Sequence, residues 1–183
     1  MVGLFGGGQG SLNPTAIAAQ SETYTVATNP SEANNWTPLL GEIGPDYSFG
    51  IVLNGIELDP VAAEPFPHEG VTAPNVNWEW NLEALNVRIG LDCDAAHVQP
   101  SGKYHYHGVP SLYLDNTKIP SNSMTLIGYA ADGFPIYYKY AYENATDMGS
   151  DVIIMQSSYQ LKSGERPGDG ETAPCGSYDG DLF

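Results

Sequence analysis

Three of the four histidines in the chain stand close together, at positions 97, 105 and 107. Imidazole nitrogen is a borderline ligand that suits Zn²⁺, Cu²⁺, Ni²⁺ and Fe²⁺. His105 and His107 are two residues apart, a spacing that puts both side chains on the same face of a β-strand. If the local structure brings His97 to that face, the three imidazoles predict a transition-metal site.

The segment Pro100-Ser101-Gly102 predicts the turn that would do this. A three-residue hairpin loop needs a type I turn followed by a left-handed residue. Proline presets φ for the first position, and glycine accepts the left-handed one without steric cost. Gln99 then pairs with Lys103, and His97 lies opposite His105. Opposed Cβ atoms are roughly 4.5–5.5 Å apart, a span that imidazoles can bridge to one ion.

Two carboxylates just upstream, Asp92 and Asp94, are candidate additional ligands. They would complete the metal's coordination or accept the second N–H of an imidazole ring and so orient it. His68, in a proline-rich stretch, is a weaker candidate for a fourth imidazole ligand. The alternative is that the alternating His and Tyr residues form an amphipathic strand that only packs.

Composition and charge narrow the classes of partner. The 183 residues include six Lys plus Arg and 22 Asp plus Glu, a formal net charge of −16. Such a surface repels phosphate backbones and anionic lipid headgroups, which disfavours nucleic acid and membrane surfaces as partners. No apolar run is long enough for a transmembrane helix, so no membrane insertion is expected. The N-terminus also lacks the basic and apolar regions of a signal peptide.

The acidic turns at 169–171 and 179–181 suggest Ca²⁺ as a second candidate ion, although they lack the spacing of an EF-hand loop. Exposed acidic turns without an ion are the alternative. No Gly-x-Ser-x-Gly elbow or phosphate-binding glycine loop is present. The sequence therefore singles out no catalytic residues.

The pattern of turns and apolar runs predicts an all-β or β-dominated single domain with antiparallel hairpins, long loops and at most short helices. Residues 1–20 are expected to form a flexible N-terminal arm, and residues 21–183 one domain with a loop-rich C-terminal tail. A second hairpin is predicted around Asn54-Gly55, where both residues tolerate the positive φ of a type I′ turn, and a third around Asp132-Gly133. Further strands are predicted at 24–28, 87–91 and 152–161. The segment 78–85 fits either a strand or a short helix.

The histidine segment also carries a resemblance. Tyr104-His105-Tyr106-His107, within AHVQPSGKYHYHG at 96–108, is similar to the defining motif of the YHYH domain family. The segments LNGIELDP at 53–60, WNLEAL at 80–85 and IGYAADGFPIY at 127–137 resemble the same family. The resemblance spans roughly residues 48–165.

The resemblance implies an exported or surface protein whose activity is poorly defined. An extracellular, cell-surface or periplasmic location is therefore expected. The exported character of the family, together with the two cysteines, suggests a Cys93–Cys175 disulfide. Two unpaired thiols are the alternative.

These observations predict an acidic, exported domain that binds Cu²⁺ or Zn²⁺ through His97, His105 and His107. Its role would be metal binding itself or a metal-dependent reaction. The competing interpretation is a structural, adhesive or carbohydrate-binding surface module in which the His–Tyr strand only packs. Under either interpretation a protein or carbohydrate partner is compatible with the sequence, which does not indicate an oligomeric state.

Overall fold

The structure is a computed structural model, and it describes residues 12–35, 40–41, 44–45, 49–60, 63–67, 75–82, 84–85 and 89–178. The strands are β1 (Leu40–Gly41), β2 (Gly44–Pro45), β3 (Gly50–Val52), β4 (Glu57–Leu58), β5 (Pro65–Phe66), β6 (Asn77–Asn81), β7 (Ala96–Val98), β8 (Tyr104–Tyr106), β9 (Leu126–Ala130), β10 (Pro135–Tyr137), β11 (Tyr140–Tyr142) and β12 (Val152–Ile154). A helix of seven residues, α1 (Ser111–Thr117), follows β8. Among the regular elements of the described residues, strands predominate over helix, which confirms the predicted fold class.

Six strands form the main sheet in the order β10-β9-β3-β4-β8-β7. All of its neighbours are antiparallel except β4 and β8, which run parallel. The pairs β1–β2, β5–β6 and β11–β12 form small separate sheets. Because β7 and β10 are the two edges of the main sheet, each end of it is closed by a hairpin. Among the described residues, no helix is long and apolar enough to cross a membrane.

The three predicted hairpins are confirmed. The Asn54-Gly55 turn joins β3 to β4, and Gly55 has a φ of 85°. All three loops contain three residues: Val52 N–H donates to the Ile56 carbonyl, Gln99 N–H to the Lys103 carbonyl and Ala130 N–H to the Phe134 carbonyl. The type I′ turn expected at Asn54-Gly55 is not formed, because Gly55 has a positive φ and Asn54 does not. The glycines that close the other two turns, at positions 102 and 133, have φ values of 84° and 93°.

Other strand predictions need correction. Residues 24–28 form no strand, and Tyr24, Thr25 and Val26 line a small cavity together with Gly50, Ile51 and Tyr129. The strand predicted at 152–161 ends at Ile154. Residues 86–88 lie outside the described residues, and 89–91 are not in a strand. The ambiguous segment 78–85 is resolved as a strand at its start, within β6.

The two faces of the sheet differ in chemistry near the β4–β8–β7 end. On one face Val52, Ala96 and Tyr106 form a buried core cluster, with Ile56, Leu58, Tyr104 and Tyr113 packed against it. The alternation of side chains along the strands sends the histidines and charged residues to the other face. That face is partly covered, because residues 12–20 lie over it. Ala18 N–H donates to the Gly102 carbonyl, and the Asn13 side-chain amide donates to the Val98 carbonyl.

The proposed N-terminal arm therefore includes a part that lies against the sheet. Residues 1–11 are outside the described residues, whereas 12–20 contact the β7–β8 hairpin. The same segment continues to the second hairpin, where a Cβ placed on Gly133 would lie 2.6 Å from the Ala27 carbonyl oxygen. Residues 12–27, here called the N-terminal segment, thus reach the turns of both sheet-end hairpins.

The predicted disulfide is wrong for this structure: Cys93 and Cys175 are exposed thiols that are not joined to each other. Cys93 lies in the turn before β7, where Ala95 N–H donates to the Asp92 carbonyl. The Cys175 carbonyl accepts a bond from the Arg166 side chain, which fixes it within the C-terminal tail. The two cysteines therefore belong to separate turns of the chain, one before β7 and one in the C-terminal tail.

Candidate metal centre

The β7–β8 hairpin has the predicted register, with His97 directly opposite His105. His107 follows β8, and its N–H donates to the Ala95 carbonyl, which continues the pairing by one step. Its side chain lies on the same face as the other two imidazoles because it is two residues beyond His105. The structure thus brings the three predicted histidines together.

The three imidazoles meet through their Nε2 atoms. Nε2 of His107 lies 2.9 Å from Nε2 of His105 and 3.1 Å from Nε2 of His97. The ring centroids are 4.7–4.8 Å apart in all three pairs. Two nitrogens bound to one tetrahedral ion at 2.0–2.1 Å would be about 3.3 Å apart. The cluster is therefore within a few tenths of an ångström of a metal-binding arrangement.

Backbone carbonyls set the tautomers of two of the rings. Nδ1 of His97 is 3.1 Å from the Ile89 carbonyl oxygen, and Nδ1 of His105 is 3.4 Å from the Lys103 carbonyl oxygen. A carbonyl can only accept, so each Nδ1 carries the proton and each Nε2 presents a lone pair to the cluster. Metal-binding histidines are commonly oriented in this way by an acceptor behind the ring.

Burial keeps two of the three histidines, His105 and His107, neutral. The side chains of His105 and His107 are buried, at 2% and 8% exposure. Burial, reinforced by the neighbouring His97, lowers the pKa of His105 to about 4. Burial, reinforced by His105 and His97, lowers the pKa of His107 to about 3. A protonated imidazole cannot ligate a metal, so the low pKa values keep these ligands available down to acidic pH.

Nδ1 of His107 is buried and has no hydrogen-bond partner among the described residues. A second proton on this ring would therefore have no protein acceptor there. Leaving a buried donor unsatisfied costs about 1–3 kcal/mol. This local feature acts in the same direction as burial and opposes protonation of His107.

The two carboxylates predicted as additional ligands are used elsewhere. Asp92 accepts bonds from the backbone of Asp94 and Ala96 and from the Tyr104 hydroxyl, at 2.9, 3.2 and 2.7 Å. Asp94 accepts the backbone N–H of Leu112 at 2.6 Å, within the first turn of α1. Asp92 therefore stabilises the turn before β7, and Asp94 caps the start of α1. Among the described residues, the group of ligand atoms within 4.8 Å of one another consists of the three histidines alone.

The remaining candidates are also located. His68 and residues 179–183 are outside the described residues. At the described acidic turn, Oδ1 of Asp169 accepts the backbone N–H groups of Glu171, Thr172 and Ala173. Its Oδ2 accepts the Thr172 hydroxyl. These bonds lower the pKa of Asp169 well below its usual range. They show that the carboxylate stabilises the turn at 169–173 by accepting its N–H and O–H groups.

Two carboxylates near the cluster were not singled out from the sequence. A cavity of about 600 Å³ opens onto the three histidines and is also lined by Asp59 and Glu64. Burial, together with the nearby Glu57, raises the pKa of Asp59 to about 6, although Lys103 and His97 act against that rise. Because β4 runs parallel to β8, Glu57 lies beside His105, and Asp59 follows two residues later. Sequence reasoning treated the β3–β4 hairpin separately, so only the parallel pairing reveals this proximity.

Lys103 shares this face but does not enter the cluster. Its Nζ forms ion pairs with Glu57 and, at 2.9 Å, with Glu22 of the N-terminal segment. Burial lowers the pKa of Lys103, but the bonds to Glu57 and Glu22 outweigh that effect and leave the pKa raised. The lysine therefore links the N-terminal segment to the sheet beside the histidines.

Comparison with known proteins agrees with the sequence resemblance. Residues 23–182 match the family model described as YHYH protein. This chain belongs to the YHYH family. No curated protein and no solved structure matches it significantly. The YHYH motif itself is strand β8 with His107, so two of the three clustered histidines come from the sequence that defines the family.

Proposed function

We propose that this YHYH domain binds one transition-metal ion, Cu²⁺ or Zn²⁺, through Nε2 of His97, His105 and His107. The observation that carries the proposal is the convergence of the three Nε2 atoms, 2.9 and 3.1 Å apart in the two measured pairs. Nitrogen ligands of this kind suit both ions. Three ligands leave a fourth position open, as in catalytic zinc sites.

The electrostatics of the cluster support the same proposal. Two of the three Nε2 atoms present lone pairs because their Nδ1 atoms face carbonyls. If His107 carries its proton on Nε2, that single N–H faces two acceptors and can satisfy only one of them well. If the proton is on Nδ1 instead, Nε2 of His107 presents a third lone pair, and a cation at the centre would interact favourably with all three at once. The wider surface, with its net charge of −16, also attracts cations.

The test is calorimetric titration of protein without a His tag against Cu²⁺ and Zn²⁺. We expect one ion per chain for the unaltered protein, and affinity reduced by about 100-fold or more in His105→Ala and in His107→Ala, each of which removes a ligand. Tyr106→Phe is the matched control, since Tyr106 lies between the two histidines on the opposite face and bonds to Asn54 at 2.9 Å. Its metal affinity should be unchanged.

The titration also separates metal binding from simple packing. If the unaltered protein binds neither ion, the imidazoles serve only as packed rings and the structural alternative is correct. If both histidine variants bind as tightly as the unaltered protein, the ion lies elsewhere in the chain. Bound metal should also raise the free energy of unfolding by mass action, on the order of 2.7 kcal/mol at 100 times the dissociation constant.

Export is the second part of the proposal. The support is the resemblance to a family whose members are mostly exported or surface proteins. Fractionation of cells that produce the natural protein, followed by immunodetection, tests this location. Recovery in the cytoplasmic fraction alone would contradict it.

A further inference from the structure

The cavity above the histidines is large enough for a small molecule. Its volume of about 600 Å³ is within the range of about 300–1,000 Å³ that is usual for ligand pockets. Residues 12–15 of the N-terminal segment form one wall, and the chain after β4, with Asp59 and Glu64, forms another. The three histidines lie at this cavity, so an ion held by them would face a space that a ligand can enter.

The charged groups that line the cavity have one sign. Apart from the histidines, its ionisable lining groups among the described residues are Asp59 and Glu64, both acidic. Among the described residues, Lys103 is a basic residue on this face, and it is paired with Glu57 and Glu22. The side-chain amide of Gln99 lies 3.5 Å from Oδ2 of Asp59 and is a neutral neighbour. An anion entering the cavity therefore meets two carboxylates and no lysine or arginine in the described lining.

We infer that the open coordination position accepts neutral or cationic small ligands with N–H or O–H groups, and that Asp59 and Glu64 exclude anions from it. The inference rests on the proposed metal binding and adds the class of ligand. Carboxylates accept hydrogen bonds from such donors, while they repel a negative charge in a partly buried site. The same two carboxylates offset the charge of a divalent ion when the three histidine ligands are neutral.

Cobalt provides a direct readout, because Co²⁺ binds nitrogen ligands and its visible absorption changes when a further ligand coordinates. The probes are azide, a small anion, and imidazole, a neutral ligand, each titrated into the fully Co²⁺-loaded protein. The assay is run at pH 8, where Asp59 is ionised despite its raised pKa of about 6. Full loading keeps any change in metal affinity out of the measurement.

We expect imidazole to bind the loaded protein and azide to bind weakly. Asp59→Asn should increase azide affinity by about tenfold, and adding Glu64→Gln should increase it further, while imidazole affinity changes by less than about threefold. Glu143→Gln is the matched control. It removes one negative charge from an exposed residue next to β11, which is outside the cavity, and azide affinity should stay within about twofold.

The outcomes separate the two proposals. If cobalt does not bind, the metal proposal and this inference both fail. If cobalt binds through the histidines but azide affinity is the same in the unaltered protein and the double variant, only the inference is overturned. Tight azide binding to the unaltered protein would overturn it as well.

Discussion

The two hairpins that close the ends of the main sheet share a turn but differ in their surroundings. Each uses a three-residue turn that ends in a left-handed glycine, at positions 102 and 133. At the β7–β8 end, the side chains of His105 and His107 are buried, at 2% and 8% exposure. At the β9–β10 end, Phe134 and Tyr137 are 40% and 42% exposed.

The difference comes from what covers each edge strand. Residues 12–20 and the chain near Ile89 lie over the histidine face, and the side chain of His97 contacts the Ile89 carbonyl. The N-terminal segment meets the second hairpin at its turn, around Gly133. The shared turn aligns imidazoles only at the β7–β8 end, because the β9–β10 hairpin carries no histidine. The burial and orientation of those imidazoles depend in addition on the segments that cover them.

The largest expected difference between the two ends concerns their lysines. Lys103 is paired with Glu57, which is 5% exposed, so Lys103→Met would leave a buried carboxylate without its cation. We expect a loss of about 2–4 kcal/mol in the free energy of unfolding. Lys139, which follows β10, contacts the rings of Tyr138 and Tyr140. Lys139→Met should cost less than about 1 kcal/mol.

Urea unfolding of both variants, monitored by tyrosine and tryptophan fluorescence, measures these losses. Equal losses would contradict the comparison, because they would mean that the ion pair beside the histidines contributes no more than an exposed contact. The double variant Lys103→Met with Glu57→Gln should recover part of the lost stability, since it removes the uncompensated charge as well.

The next prediction alters the shared turn. Alanine at position 102 or 133 would adopt a positive φ at a cost of about 1–2 kcal/mol. It would also meet the N-terminal segment, at 2.5 Å from Cβ of Ala18 or 2.6 Å from the Ala27 carbonyl oxygen. Both variants should therefore lose about 2 kcal/mol or more in the free energy of unfolding.

Only Gly102→Ala should also weaken metal binding, by several-fold, because Ala18 is continuous with the residues that wall the histidine cavity. Gly133→Ala is its matched control. Calorimetric titration with Zn²⁺ decides the point. The same loss of affinity in both variants would show that general instability, and not the position of the N-terminal segment, controls the site.

The local parts of the structure were predictable from sequence. The Pro100-Ser101-Gly102 turn allows one register, and that register fixes the pairing of His97 with His105. The hairpins at Asn54-Gly55 and Asp132-Gly133 were also predictable, although the turn type expected at Asn54-Gly55 was wrong. In each case the chemistry of two or three adjacent residues selects the backbone conformation, and the strands on either side follow.

The parts that could not be predicted from sequence depend on distant contacts. The parallel pairing of β4 with β8 brings Asp59 towards the histidines, and a parallel pair has no connecting turn that the sequence would reveal. Asp92 and Asp94 are adjacent to the hairpin in sequence but bond to Tyr104 and to α1. Whether an aspartate is a ligand or a cap depends on which backbone N–H groups lie near it, which spacing alone does not specify.

The smallest expected difference between the two ends appears on acidification without metal. The unfolded chain binds protons on histidine near the ordinary pKa of about 6.5, whereas in the folded state the values for His105 and His107 are about 4 and about 3. Between pH 6.5 and pH 4 the unfolded state therefore binds more protons than the folded state. The contribution of these two rings is fully present above pH 6.5 and is lost as the pH falls through this window.

We expect the free energy of unfolding in EDTA to fall by at least about 1 kcal/mol from pH 7 to pH 4.5 because of these rings. Asp59 acts in the opposite direction, since its raised pKa makes the folded state take up a proton below about pH 6. The informative quantity is therefore the difference between the unaltered protein and His105→Gln with His107→Gln, measured by urea unfolding at each pH. The variant should lose less stability on acidification.

The same substitution at Ile136 of β10, Ile136→Gln, adds no titrating group and should leave the pH dependence unchanged. Parallel pH profiles for all three proteins would mean that His105 and His107 are solvated in the folded state, which would remove the two buried, neutral imidazoles on which the proposed metal binding depends.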